Sequence, residues 1–178
     1  MGRCIMVEIS DLKIAVWGIG KYVIFTLLAI LLLLPISLGH AIDKEGKYSS
    51  KFGWYSKGQV FEVGPEHMFF VGEFSGTNFN DKSEGFMDMT SVVCPGAMDI
   101  NKGMYDGHGY CIVTDNDGDK AYLVWKCKGE ELCKGDFQWA GGTGKYEGIT
   151  GNNSFYAQVS IGGTQQGYSI WEGEWKLP

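Results

Sequence analysis

Residues 141–151 read GGTGKYEGITG, with glycine, threonine and lysine in the order of a phosphate cradle. A nucleotide loop of that kind needs a glycine five residues before the glycine of Gly-Lys, a Ser or Thr after the lysine, and a helix to follow. Trp139 stands at the first of these positions and Tyr146 at the second, and the chain continues Gly, Ile, Thr, Gly into an alternating strand pattern. With no helix N-terminus there is nothing to hold an anion in the usual way. The glycines therefore read as structural. Gly141 and Gly142 end a strand, Gly144 takes a turn needing positive φ, KYEGI with Gly148 forms a short strand, and Thr150-Gly151 breaks it.

Other residues have types that can do chemistry. Asp115, Asp117 and Asp119 in DNDGD resemble the start of a calcium loop, but Lys126 occupies the place of the glutamate that closes an EF-hand. The same residues serve as a hairpin turn, and calcium is the weaker reading. His67 and His108 each stand without a cysteine or histidine at metal-ligand spacing. No G-x-S-x-G elbow is present. Glu73 and Glu174 lie in aromatic-rich segments, where an inward carboxylate would be desolvated into an acid or base. Trp54, Phe70, Trp125 and Trp171 are the aromatic candidates for lining a pocket for a hydrophobic or aromatic molecule, with Glu73 beside them. No catalytic residue and no resident cofactor is assigned.

These residues must be held by a chain that changes character near residue 41. Arg3, Lys13 and Lys21 precede an uncharged run, YVIFTLLAILLLLPISL, which ends in Gly-His-Ala. A positive flank, an apolar centre and a small-x-small exit make residues 1–41 a secretory signal peptide, with an uncleaved membrane anchor as the alternative. Residues 42–178 are then one exported domain, periplasmic or secreted, and free of the membrane after cleavage. That segment has 12 Lys, no Arg and 19 Asp plus Glu, a formal charge of −7. An acidic domain without arginine is a poor match for nucleic acid. Its four cysteines suit two disulfides. Residues opposite one another in a hairpin are equidistant from its turn. Cys94 and Cys111 centre on NKG, and Cys127 and Cys133 on Glu130, so the expected pairs are Cys94–Cys111 and Cys127–Cys133.

Alternation of period two dominates residues 47–177. Ala121, Leu123, Trp125 and Cys127 share one face, as do Phe155, Ala157, Val159 and Ile161, and Trp171 with Trp175. Turn signals, among them SKG, VGPEH, NDKSEG, INKG, DNDGDK, KGEE and GGTGK, divide the segment into about eight short strands. The pattern is all-β, a sandwich or a barrel.

GGTGKYEGITGNNSFYAQV resembles the segment of the allene oxide cyclase and dirigent barrel superfamily in which a Gly-Gly-x-Gly turn leads through an aromatic and a glycine to the next barrel strand. HMFFVGEFSGTNF, GFMDMTSVVCPG and GYSIWEGEWKLP look like blocks of exported bacterial proteins of unknown function associated with that barrel. The resemblance implies a single closed antiparallel barrel of roughly eight strands following the N-terminal signal helix. It carries over no catalytic position. The expected function is a non-catalytic exported barrel that binds a small hydrophobic or aromatic ligand or serves the envelope structurally. The alternatives are an isomerase or cyclase with an inward carboxylate, and a calcium-dependent surface module.

Overall fold

The computed structural model describes residues 43–159 and 164–178; residues 1–41, the expected signal peptide, lie outside them. Eight antiparallel strands follow in chain order. They are β1 (Glu45–Gly64), β2 (His67–Asn80), β3 (Thr90–Asn101), β4 (Met104–Thr114), β5 (Lys120–Gly129), β6 (Cys133–Gly142), β7 (Asn152–Gln158) and β8 (Gln166–Lys176). Each pairs with its neighbours in sequence, and β8 closes on β1. A path of direct cross-strand partners leaves β1 at Gly58, passes Gly72, Gly96, Gly109, Trp125, Phe137, Asn153 and Gly173, and returns to β1 at Tyr48. That displacement is the shear of the barrel, and it tilts the strands by about 40° to the axis. Among the described residues no helix is long and apolar enough to cross a membrane.

The alternation sets the core. Phe52 and Trp54, Leu123 and Trp125, Phe137 and Trp139, and Trp171 and Trp175 all point inward and are buried. Their rings meet mostly edge to face: Phe52 with Trp171 at 5.4 Å between centroids, Trp54 with Phe74 at 5.0 Å, Phe137 with Trp139 at 5.4 Å. Both expected disulfides are present, Cys94–Cys111 between β3 and β4 and Cys127–Cys133 between β5 and β6, with all four cysteines buried inside the barrel. Lys102 and Gly103 take φ of 52° and 82°, the pair of positive values a two-residue hairpin turn needs, which places Cys94 opposite Cys111.

Two expectations change. KYEGI is not a strand: Gly144–Tyr146 is a 3₁₀ turn, closed by backbone bonds from Tyr146 N to Thr143 O and from Glu147 N to Gly144 O, with Tyr146 buried beside Phe86. SKG is not a turn either, since β1 runs straight through it. Gly58 sits opposite Gly72, and a Cβ on either would strike the Phe70 ring lying over both. Gly96 and Gly109 continue the row, covered by the Trp125 ring. The glycines let the wall curve sharply, and the two rings replace the missing side chains. Ile161 lies outside the described residues.

Candidate functional site

The barrel has two different ends. The base holds the connections 81–89, 115–119 and 143–151 together with the C-terminus. The mouth holds the hairpin turns after β1, β3 and β5, the end of β7 and the start of β8.

The base is plugged by residues 81–89. Phe86 enters the barrel and stacks on Trp175 at 4.5 Å, with Tyr48, Trp139 and Tyr146 around its edge. Backbone carbonyls carried in with it are paired: Asn80 Nδ2 donates to Phe86 O at 2.8 Å, and Asn78 Nδ2 to Met87 O at 2.8 Å. Ser83, Met87 and Met89 hold positive φ in this connection, and the two asparagines fix the conformation from the barrel wall. Beside the plug, with its amide oriented to suit its neighbours, Asn153 donates to Glu174 O and Tyr48 OH and accepts from Trp139 Nε1. Burial pushes the Tyr48 phenol well above its ordinary pKa, so it is a neutral hydroxyl there.

DNDGD packs against the glycine loop. Asp115 Oδ1 accepts the backbone N–H groups of Asp117 at 2.9 Å and Asp119 at 3.0 Å, closing the hairpin. Lys145 Nζ lies 2.7 Å from Asp115 and 2.6 Å from Asp117. Asp119 Oδ2 accepts the backbone N–H of Lys145 at 3.1 Å. The loop that resembles a phosphate cradle thus does hold anions, and they are the chain's own carboxylates. Lys145 supplies the positive charge that a Ca²⁺ would bring to Asp115 and Asp117. Among the described residues no group of three or more His, Cys, Asp or Glu gathers as a metal site. Burial disfavours ionisation of Asp115, but hydrogen bonds from Lys145, Tyr146 and the Asp117 N–H outweigh it and lower its pKa. Burial and the nearby aspartates push the Tyr146 hydroxyl up.

Gly141, Gly144, Gly148 and Gly151 have φ of 132°, 54°, 72° and 149°, so four of the five structural glycines use backbone that other residues avoid. Gly142 is the fifth, held close to the Tyr146 carbonyl as β6 ends.

Beneath the mouth lies a cavity of about 50 Å³. Trp54, Trp125 and Trp171 line it, with Phe74, Met98 and Ala157. The polar side chain in its wall is Ser169, whose Oγ accepts the Trp54 indole N–H at 3.2 Å. Phe70 is near but not in that wall; it packs on Phe74 at 5.5 Å over the glycine row. Glu73 is on the opposite face of β2 from Phe74, where it accepts from Ser75 Oγ at 3.1 Å. Glu174 is exposed on the outer face, and its partner is Asn152. His108 faces outward on β4; His67 pairs with Asp99 at 2.8 Å on the hairpin beyond the mouth. No carboxylate or histidine lines the cavity among the described residues. The sequence offered no signal for the disulfides, Met98 and Ala157 as cavity wall, because that depends on which inward residues reach the same level after the strands tilt.

No family model and no curated protein matches this chain. Among solved structures it is similar to a pterocarpan synthase dirigent protein, with 12% identity over 82% of this chain and 96% of that chain, and a TM-score of 0.44.

Proposed function

We propose that this chain is a non-catalytic, exported barrel that holds the end of a narrow apolar molecule beneath its mouth. The observation that carries the reading is the cavity wall: aromatic rings, Met98 and two disulfides, with the hydroxyl of Ser169 already engaged by Trp54. Such a wall offers contact and no proton transfer, which sets it apart from an isomerase or cyclase site needing a desolvated acid or base. At about 50 Å³ the cavity is far smaller than the roughly 300–1,000 Å³ of a site that encloses a whole ligand. What fits is an alkyl tip, with the rest of the molecule lying on Phe70, Ile100 and Tyr105, apolar side chains half-buried at the mouth. Two internal disulfides support export, since such bonds persist in oxidising compartments.

Titrating the full chain with dodecanol while following tryptophan emission tests this. A saturable change is expected because three indoles line the cavity. No saturable change with dodecanol would leave a filled barrel with a purely structural role.

A further inference from the structure

Strand β1 is longer than the strand it closes on. Its pairing with β8 stops at Tyr55↔Gln166, followed by a bond from Ser56 N to Gln165 O at 2.7 Å. Its pairing with β2 continues to Gly64↔His67. Among the described residues no strand pairs with Gly58–Glu62 on the β8 side. The hairpin therefore stands beyond the barrel with an open edge. Val60 is 60% exposed, Phe61 48% and Val63 55%.

Strand alternation says which backbone groups are open. Since Ser56 N–H points to the β8 side, the N–H and C=O of Gly58, Val60 and Glu62 point there too, while those of Lys57, Gln59 and Phe61 bond β2. The bulge between Glu62 and Gly64 ends the regular run. Natural edges are usually blunted by proline, by charge or by a bulge; residues 58–61 have none of these, and Glu62 and the bulge after it mark where the open run ends.

We infer that this edge pairs with the same edge of a second copy, antiparallel about Val60. A two-fold axis perpendicular to the sheet lets a residue meet only a partner of its own parity, so the axis passes through a residue. Centred on Gly58, the second hairpin would run into Gln165 and Gln166, which already occupy the edge at Tyr55 and Ser56. Centred on Glu62, two carboxylates would face each other, a destabilising pair. Centred on Val60, Val60 meets Val60, Gly58 meets Glu62 and Gln59 meets Phe61. No like charges oppose, and the open groups of Gly58, Val60 and Glu62 all find partners. Centred on Gln59, Glu62 would face Ser56, already bonded to Gln165, and centred on Phe61, Gly58 would face Gly64 beyond the bulge. The two barrels then extend in opposite directions from the shared ladder, mouth toward mouth.

Directly opposed, hydrogen-bonded residues have Cα atoms about 5.5 Å apart, within disulfide reach. The test is oxidative cross-linking of full-length Val60→Cys, read by non-reducing electrophoresis, with the wild-type chain and its Cys4 as baseline. Val60→Cys is expected to give at least about tenfold more covalent dimer than Gln59→Cys or Phe61→Cys alone, because neither of those meets itself across the axis. An equimolar mixture of Gln59→Cys and Phe61→Cys should recover the dimer. Equal cross-linking by all three single variants, or none by Val60→Cys, overturns the pairing. Val60→Pro removes an N–H with no partner among the described residues, so it should fold and stay monomeric. A Val60→Pro chain that sediments as the wild-type dimer overturns it as well.

Discussion

At the base of the barrel Phe86 stacks on Trp175, and two asparagines bond the backbone that carries it in. At the mouth, four glycines in register leave the wall bare, and Phe70 and Trp125 lie across it. Both ends use aromatic rings; at the mouth Trp125 donates its indole N–H to Tyr110 O at 3.3 Å, while at the base two asparagines also bond the backbone that carries the ring. The base is over-determined and closed. The mouth keeps a small cavity and, among the described residues, an unpaired edge. Stability is therefore concentrated at the base, and the proposed binding falls at the mouth, as expected when binding elements come from the less constrained part of a fold.

The contrast breaks most clearly at Phe86. Phe86→Ala empties the plug, and an unfolding midpoint measured in denaturant should show a loss of about 3–5 kcal/mol. A loss under about 1 kcal/mol would mean that the base is not where stability resides.

The Asp115–Lys145 contact sharpens the same comparison through pH. The Asp115 pKa is lower in the folded chain than its ordinary 3.8. Its contribution is thus fully present above about pH 4 and is lost as pH falls through the depressed value. Lys145→Met removes one of the bonds that together outweigh burial, so the variant should be less stable by about 1–2 kcal/mol near neutrality. Below about pH 4 the difference from the wild type should shrink, because protonation of Asp115 removes a pairing the variant already lacks; denaturant unfolding followed by circular dichroism at several pH values reads this. Identical acid profiles would show that Lys145 does not set the Asp115 ionisation.

The smallest effect is expected at the mouth. Ala157→Val adds two methyl groups to the cavity wall and should change stability by less than about 1 kcal/mol. Dodecanol affinity, read by tryptophan emission, should fall by roughly fivefold, about 1 kcal/mol. An unchanged affinity would place the alkyl tip elsewhere.

Much of the architecture could be read along the chain. Alternation in AYLVWKC put Leu123 and Trp125 on one face, and equal distances from NKG matched Cys94 to Cys111, because both follow from local strand geometry. KYEGI misled because its period-two look says nothing of Tyr146, whose ring is drawn into the core by tertiary contacts. SKG misled because Gly58 has the composition of a turn, while its real partner, Gly72, lies across the sheet. Of the proposed pocket residues, Trp54, Trp125 and Trp171 do meet, whereas Glu73 falls on the outer face once the phase of β2 is set by Phe74.

By itself the sequence determined the all-β pattern of about eight strands, the inward faces of β5, β7 and β8, the disulfide pairs and the absence of a nucleotide loop, since each depends on neighbours a few residues apart. Only the tertiary structure decided that the barrel closes with a ten-residue stagger, which brings Asp115, Asp117 and Asp119 against Lys145. The same stagger leaves β1 longer than β8 at the mouth. Those outcomes depend on the register of strands far apart in the chain, a quantity that period and spacing do not encode. The glycine loop 141–151 shows both sides: its residue types invite an anion, and the fold fills the invitation with the chain's own aspartates.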